Sequence, residues 1–157
     1  MGVKRYRLET MKATIRKARV EDAGKIASLA IQLWESHTIE ELTQEFCDYM
    51  NKESGIIFLA ISDGCAVGFA QCGLRYDYVE GTDSSPVGYL EGIFVVGEYR
   101  KRGLGKDMLE TCQKWAKEQG CTEFASDCEL FNEDSLKFHL KLGFTEANRI
   151  ICFTKKL

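Results

Sequence analysis

A single acidic residue, Glu91, stands inside an otherwise apolar stretch of sequence, residues 87–95. A carboxylate in such a strand costs free energy unless it is paired or hydrated, and the glycine that follows, Gly92, is consistent with a β-bulge that turns the side chain towards a cleft. An alkylammonium group has a pKa of about 10 and must lose a proton before it attacks as a nucleophile. Glu91 could accept that proton, directly or through water, or hold the ammonium in place. A structural ion pair is the alternative.

Two other kinds of side chain are candidates for chemistry. Asp127 ends a buried strand predicted over residues 123–127, where a turn-forming aspartate is the alternative interpretation. Cys72 or Cys128 could form a covalent intermediate, but no histidine and aspartate partners stand at a spacing that supports such a route. The sequence therefore favours carboxylates over a nucleophilic thiol.

Residues 100–106 read Arg-Lys-Arg-Gly-Leu-Gly-Lys and lie between a predicted strand and a long predicted helix. The first N–H groups of a helix carry partial positive charge, and glycines let a phosphate approach the backbone closely. The run lacks the third glycine of the dinucleotide fingerprint and the Gly-Lys-Ser/Thr ending of the nucleotide-phosphate loop. It predicts a phosphate-binding turn of another kind, with an ordinary charged loop as the alternative.

The charge is unevenly distributed along the chain. A formal net charge of −3 combines +5 over residues 1–34, −9 over residues 35–91 and +1 over residues 92–157. Solvated helices and loops are one explanation of the acidic middle segment. The other is an acidic wall that faces a cationic partner. The acidic balance disfavours a nucleic-acid surface.

Length and composition limit the class of protein. The chain has 157 residues, of which 45% are hydrophobic and 29% charged, as expected for one domain with a packed core. Its seven cysteines are scattered without a Cys-x-x-Cys pair, and there are two histidines, so we expect reduced thiols, no metal and no disulfide framework. The longest apolar runs are too short to span a membrane, and no secretory leader is visible. We expect a soluble cytoplasmic protein that binds neither membrane nor nucleic acid.

Patterning predicts an α/β domain over residues 11–157, after a flexible extension at residues 1–10. Strands are expected over residues 13–17, 56–62, 66–75, 87–95, 123–127 and 150–155. Helices are expected from about residue 21, with Leu33 and Trp34 on the apolar face, from Thr38 in a capping-box pattern towards residue 50, from residue 104 to a glycine cap at Gly120, and after Asn132. The order β-α-α-β-β-β-α-β-α-β indicates a mixed central sheet flanked by helices.

The basic turn resembles the (Gln/Arg)-x-x-Gly-x-(Gly/Ala) coenzyme A pyrophosphate loop of the GNAT N-acetyltransferase superfamily. The preceding residues 90–95 (LEGIFV) resemble the superfamily's splayed fourth strand, and Asn132 followed by residues 138–144 (FHLKLGF) resembles its C-terminal motif. The similarity covers residues 12–157 in matching order and spacing. It implies the acyl-CoA N-acyltransferase fold in a single domain and acetyl-CoA as the co-substrate.

A narrower resemblance is to the aminoglycoside 6'-N-acetyltransferases. It rests on residues 75–81 (RYDYVEG), 83–87 (Asp-Ser-Ser-Pro-Val), 89–95 (YLEGIFV), 32–34 (QLW) and 125–127 (ASD). It implies transfer of acetyl from acetyl-CoA to the 6'-amine of an antibiotic, which inactivates the drug, by direct attack in a ternary complex. The −9 middle segment suits a substrate that carries several ammonium groups. Dimers are common in the family, and the strand predicted over residues 150–155 is a candidate edge or exchanged element.

The resemblance implies a coenzyme site, and it is carried by these residues: Ile93, Phe94 and Val95 through their backbone, Lys101, Arg102, Gly103, Leu104, Gly105 and Lys106 in the turn, and Asn132. A backbone N–H of the strand could also stabilise charge on the thioester oxygen. The alternatives are a buried apolar strand and, for Asn132, a helix cap.

The resemblance also implies a substrate site in which Glu91 and Asp127 organise the amine and Trp34, His37 and Tyr78 line the antibiotic. For Trp34, core packing is the alternative. Two positions depart from the family pattern. His139 stands where many members have a tyrosine proposed as general acid, and it could protonate the thiolate or pack as a neutral ring. Asn148 stands where a related pattern has an acid, which leaves substrate contacts beyond residue 144 open.

Two further functions remain compatible with the sequence. The same scaffold could acetylate a polyamine or a protein amine, or the chain could be a non-catalytic sensor of coenzyme A or of a cationic ligand.

Overall fold

The computed structural model describes residues 12–157 and contains one mixed sheet of five strands. The strands are β1 (Thr14–Lys17), β2 (Gly55–Ser62), β3 (Cys65–Arg75), β4 (Val87–Val95) and β5 (Phe124–Ser126). They lie in the order β1-β2-β3-β4-β5. The first four are antiparallel neighbours, and β5 is parallel to β4. The extension expected at residues 1–10 lies outside the described residues.

Four helices flank the sheet: α1 (Ala23–Ala30), α2 (Ile39–Met50), α3 (Leu104–Glu118) and α4 (Glu133–Lys141). The predicted capping box is present at α2, where Thr38 Oγ1 accepts from the Glu41 N–H and the Glu41 carboxylate accepts from the Thr38 N–H. Gly120 follows α3 with φ 92°, as expected of a left-handed C-terminal cap. The predicted mixed α/β architecture is therefore confirmed.

The first helix is shorter than the apolar pattern predicted. After Ala30 the N–H groups of Gln32 and Leu33 bond to carbonyls three residues back, so the chain tightens into turns. Leu33, expected on the apolar face, is 41% exposed as a result. Trp34 is nevertheless partly buried and packs against the core.

The sheet separates two cores. On one face Phe69 and Phe94 pack with residues of α1 and α2, among them Ile26 and Phe46. On the other face Leu90 packs with residues of α3. In a regular strand, residues four positions apart share a face, yet Leu90 and Phe94 lie in opposite cores.

A β-bulge in β4 explains this change of face. Gln71 of β3 pairs with Gly92, and the next residue, Cys72, pairs with Leu90, so Glu91 is the extra residue of the bulge. The bulge predicted at this position is confirmed. It reverses the alternation of the strand beyond Glu91.

The last predicted strand is wrong. Residues 142–157 form no strand or helix in the structure, and the apolar side chains of Ile150, Ile151 and Phe153 are 72%, 79% and 88% exposed. A strand requires a partner edge for its backbone groups, and within the described chain this segment pairs with none. The strand predicted over residues 123–127 is also reduced to Phe124–Ser126, and its residues are half-buried.

No helix within residues 12–157 is long and apolar enough to cross a membrane.

Candidate active site

A cavity of about 510 Å³ opens on the α1 and α2 side of the sheet. It is lined by Trp34, His37, Leu42, Glu45, Phe46, Asp48, Tyr49, Lys52, Gln71 and Glu91. Three of these side chains are carboxylates (Glu45, Asp48 and Glu91), against the single lysine Lys52. The cavity therefore presents aromatic surface together with negative charge, the combination that suits a ring-shaped cation.

Glu91 reaches this cavity from the bulge, and its carboxylate is already paired. Arg75, the last residue of β3, donates from Nε to Glu91 Oε1 at 3.1 Å and from a terminal nitrogen to Oε2 at 2.8 Å. The side chains are 26% exposed for Glu91 and 44% for Arg75. The structural ion pair, which was the alternative interpretation of Glu91, is therefore present, and Glu91 also lines the cavity.

The same arginine connects Glu91 to Asp127. The Arg75 guanidinium lies over the Tyr89 ring, 3.4 Å from its centroid, and Asp127, which is exposed directly after β5, lies close enough for its charge to act on the Tyr89 phenol. Burial, followed by the interaction with Asp127, raises the pKa of Tyr89 to about 12. We call Glu91, Arg75, Tyr89 and Asp127 the carboxylate bridge. Asp127 itself does not line the 510 Å³ cavity.

The three other predicted substrate residues are placed differently. Trp34 lines the cavity and also packs on Phe46 and Phe69, at ring-centroid distances of 6.2 and 6.3 Å. His37 lines the cavity with its Nε2 4.0 Å from Glu45 Oε1.

Tyr78 lies outside that cavity. Its side chain is 80% exposed, its hydroxyl donates to the Glu80 carboxylate at 2.9 Å, and it lines a second cavity that includes Arg75. The ion pair between Arg75 and Glu91 therefore stands between the two cavities.

Gly92 lets Trp34 approach the sheet. A Cβ at Gly92 would lie 2.9 Å from Trp34 Cη2, closer than real side chains come. Gly92 thus allows Trp34 to pack against β4, and this contact forms the floor of the cavity. The same glycine directly follows the bulge that bends the strand.

The predicted coenzyme edge is open in the structure. Pairing of β4 with β5 stops at Leu90 and Ser126, so Ile93, Phe94 and Val95 have no strand partner on that side among the described residues. The Val95 carbonyl accepts from Arg100 Nε at 2.7 Å. The side chain of Phe94 is buried in the first core.

The basic turn sits beside that edge at the start of α3. Lys101 and Gly103 have positive φ angles of 58° and 83°, which curl the backbone ahead of the helix. The first N–H groups of a helix, here those of Leu104, Gly105 and Lys106, have no acceptor within it. Lys106 also lies 3.7 Å from Glu110, and Arg102 is exposed. The turn suits an anionic group of phosphate type.

Gly105 has a second, structural role. A Cβ there would lie 3.1 Å from the Phe138 ring, so the glycine also allows α4 to pack closely on α3.

Asn132 caps α4, with its Oδ1 accepting from the Ser135 N–H at 3.0 Å. The cap alternative is thus realised, and the amide NH₂ remains a potential donor.

His139 lies where β4 and β5 separate. Its Nδ1 is 2.7 Å from the Ser135 carbonyl oxygen, which can only accept, so Nδ1 carries a hydrogen. Its Nε2 is 2.8 Å from Ser126 Oγ, which is itself 3.1 Å from the Leu90 carbonyl. Both ring nitrogens therefore bond to protein groups. Asn148 donates to the Glu80 carboxylate at 3.4 Å.

Several residues of the site had no assigned role in the sequence analysis. Glu45, Asp48 and Tyr49 follow helical spacing on one face of α2, Lys52 continues that spacing just beyond the helix, and this pattern was the available signal. Tyr49 anchors this face, because its hydroxyl donates to the Cys72 carbonyl at 2.8 Å. Burial is the main cause that raises the pKa of Tyr49 above its ordinary value.

Comparison with known proteins identifies the family. Residues 13–144 match the model of the acetyltransferase (GNAT) family. The chain belongs to the GNAT family of acetyltransferases. Its open β4 edge and basic turn are the features that the sequence resemblance predicted for this family, and that resemblance is confirmed.

Named relatives narrow the comparison. The chain is 41% identical over 147 residues to aminoglycoside N(6')-acetyltransferase type 1 of Stenotrophomonas maltophilia, covering 92% of this chain and 94% of the relative. It is 41% identical over 125 residues to the protein of the same name from Salmonella typhimurium, covering 80% and 86%.

Solved structures agree with the fold. The aminoglycoside N-acetyltransferase AAC(6')-Iy in complex with CoA superposes with a TM-score of 0.89 at 37% identity, covering 94% of this chain and 97% of that one. The same enzyme with the bisubstrate analogue CoA-S-monomethyl-acetylneamine gives 0.87 at 37% identity, covering 93% and 99%.

Proposed function

We propose that this protein is an aminoglycoside 6'-N-acetyltransferase that moves acetyl from acetyl-CoA to the 6'-amine of the antibiotic and so confers resistance. The observation that carries the proposal is the position of Glu91. The bulge brings its carboxylate into an acidic, aromatic cavity at the point where the open edge of β4 begins. Relatives about 40% identical over most of the chain carry this activity in their names.

Acetyl-CoA fits two features of the chain. Backbone groups of Ile93, Phe94 and Val95 would pair with the amide groups of the pantetheine arm as an added strand does. Residues 101–106 would hold the pyrophosphate, chiefly through backbone N–H groups, and Asn132 adds a polar contact. A solved neighbour 37% identical to this chain is a complex with CoA.

The reaction is a direct attack in a ternary complex. The antibiotic lies in the 510 Å³ cavity against Trp34 and His37, with Tyr78 contacting it from the second cavity and Glu91 and Asp127 organising the amine. The neutral amine nitrogen bonds to the thioester carbon, the carbon–sulfur bond breaks, and the thiolate leaves and takes up a proton. The amine proton passes to Glu91 or to water. A backbone N–H of β4 stabilises the thioester oxygen as negative charge develops there.

The working molecule is a homodimer. The exposed apolar side chains of Ile150, Ile151 and Phe153, in a segment without regular structure, support a second copy as the partner that covers them. The reaction takes place in the cytoplasm. All seven cysteines lie in the described residues and none forms a disulfide, which is consistent with a reducing compartment.

The test is release of CoA on addition of neomycin or paromomycin, which carry an amine and a hydroxyl, respectively, at the 6'-carbon. We expect turnover with neomycin, kanamycin and tobramycin and none with paromomycin. Equal turnover of the matched pair, or faster turnover of spermidine or a lysine peptide, would overturn the substrate assignment. Tight binding of acetyl-CoA without transfer to any amine would indicate a sensor.

A further inference from the structure

The proposed reaction sets conflicting demands on the acceptor site. Carboxylates attract the polycationic antibiotic, but a carboxylate next to an ammonium group stabilises the charged form and raises its pKa. Only the unprotonated amine can attack the thioester. An acceptor site with two unopposed carboxylates would bind its substrate well and hold it in the unreactive form.

The positive charge of Arg75 opposes the negative charge of one of these carboxylates, Glu91. Its guanidinium donates to both oxygens of Glu91 and lies over the Tyr89 ring. The charge of Asp127 acts on both Arg75 and Tyr89. The pairing with Glu91 is the largest cause that raises the pKa of Arg75, and the charge of Asp127 adds to it. The arginine therefore stays charged throughout the working pH range and lies in the field of both carboxylates.

The other charged and titratable groups around the proposed position of the amine come from two further segments. Helix α2 and the segments that flank it contribute Glu45, Asp48 and Tyr49 together with Lys52 and His37. The segment after β3 contributes Asp77 and the phenols of Tyr76 and Tyr78. Acidic groups outnumber basic ones here, so the cavity remains attractive to a cation, and Arg75 is paired directly with the carboxylate at the bulge.

We propose that Arg75 is an electrostatic positioning residue that lowers the negative field at the acceptor amine, so that the bound amine loses its proton near neutral pH. This inference rests on the proposed function. Arg75 need not touch the reacting atoms, because it acts through Glu91. Its charge, rather than the shape of its side chain, is what the reaction requires.

Three variants test the role of the charge. Arg75→Gln and Arg75→Met remove it, and Arg75→Lys keeps it without the bidentate geometry. The measurement is kcat and KM for neomycin between pH 6 and pH 10. A neighbouring like charge shifts a pKa by about one unit or more, so we expect the rising limb of kcat to move up by about one pH unit in the two neutral variants.

The sign follows from the protonation state that reacts. Activity increases as pH rises through the pKa of the bound amine, so a higher pKa leaves less neutral amine at pH 7. The neutral variants should lose about tenfold in kcat at pH 7 and recover it at high pH. Their KM should be unchanged or lower, and Arg75→Lys should keep the wild-type profile.

Several outcomes would overturn the inference. A uniform loss of kcat at every pH, with a raised KM, would show that Arg75 only orients Glu91. An unshifted pH profile of kcat in either neutral variant would also overturn the inference. A shifted profile in Arg75→Lys would overturn it as well, because this variant keeps the charge. Arg75 is half exposed at the end of β3, so these variants are expected to fold, and Lys25→Ala, which removes an exposed lysine near Asp22, is the control. If the wild-type protein turned over no aminoglycoside, the proposed function itself would fail, before any variant is compared.

Discussion

At the scale of single residues, Glu91 combines two functions that are usually separate. It is the extra residue of a β-bulge, and its carboxylate both lines a cavity and pairs with Arg75. The ion pair fixes the direction of the carboxylate, since a bidentate guanidinium contact allows little rotation. In the proposed reaction the same carboxylate takes a proton from the bound amine.

Replacing Glu91 with glutamine tests this role. The amide keeps the volume but neither accepts a proton nor attracts an ammonium, so we expect kcat for neomycin to fall by roughly 10²-fold or more. The dissociation constant for acetyl-CoA should change little, because the coenzyme edge begins beyond residue 91. Steady-state kinetics and calorimetric titration with acetyl-CoA measure the two quantities. Turnover equal to that of the wild type would remove Glu91 from the mechanism.

Gly92→Ala tests the cavity floor. The added Cβ would lie 2.9 Å from Trp34 Cη2, so the indole must move, and overpacking of this kind costs about 1–3 kcal/mol of stability. We expect a lower thermal midpoint and a raised KM for the antibiotic.

Gly24→Ala is the matched control for this change, because a Cβ there meets nothing within 4 Å. It lies in α1, where alanine favours the helix by up to about 1 kcal/mol, and KM should stay as in the wild type. An equal change of KM in both variants would contradict the role given to Gly92.

At the scale of elements, the proposed coenzyme site lies at the junction of β4 with α3. The strand leaves one edge open beyond Leu90, and the turn before α3 leads directly into the first N–H groups of the helix. Gly103 holds that turn in a left-handed conformation, with φ 83° at the N-cap of α3. The geometry of the anion site therefore depends on backbone conformation more than on lysine or arginine side chains.

Gly103→Ala separates these contributions. No atom lies within 4 Å of the new Cβ, so its cost is the backbone strain of a left-handed alanine, about 1–2 kcal/mol. We expect the dissociation constant for acetyl-CoA to rise severalfold.

Gly64→Ala imposes the same strain at φ 77° in the turn between β2 and β3, also with nothing within 4 Å. It should lower the thermal midpoint by a similar amount and leave acetyl-CoA binding unchanged. If both variants bind acetyl-CoA equally well, the turn does not hold the pyrophosphate through its backbone.

The elements that the sequence predicted correctly are those with local signals. The capping box at Thr38, the glycine cap at Gly120 and the bulge at Glu91 each depend on neighbouring residues. The strand expected over residues 150–155 had the right apolar composition, but strand formation depends on a partner edge that composition does not reveal.

The carboxylate bridge shows the same limit at the site. Glu91 and Asp127 were candidates from their own surroundings, whereas the contact of Arg75 with Tyr89 depends on the pairing of β3 with β4. Tyr78 carried an aromatic signal, yet the loop after β3 places it in a different cavity from Trp34. Register decides which side chains of neighbouring strands lie side by side, and here it includes a bulge that shifts the pairing.

At the scale of the whole molecule, the charge distribution matches the two proposed ligands. The acidic segment over residues 35–91 supplies the three carboxylates that line the cavity. The basic residues at 100–106 lie at the other end of the open β4 edge, beside the proposed position of the pyrophosphate. A cationic acceptor and an anionic donor are thereby drawn to opposite ends of one strand.

The C-terminal segment gives a prediction at this scale. A double variant, Ile151→Ser with Phe153→Ser, removes apolar surface from side chains that are 79% and 88% exposed. If this surface joins two copies, the variant should sediment as a monomer at concentrations where the wild type is a dimer.

Val20→Ser is the control, because it removes one exposed apolar side chain that is distant in sequence from the C-terminal segment. This variant should remain dimeric. A wild-type protein that is monomeric at high concentration, or a double variant that remains dimeric, would contradict the proposed dimer.

The bulge at Glu91 makes the protein sensitive to the number of residues in β4. Deletion of one residue there would turn each later side chain of β4 to the opposite face of the sheet. Phe94 would turn towards α3, and Ile93 and Val95 would turn towards α1 and α2. The side chains of β4 beyond the bulge would face the wrong cores, although the composition of the chain would hardly change. We therefore expect the loss of one residue from this strand to destabilise the protein more than the replacement of a single side chain along it.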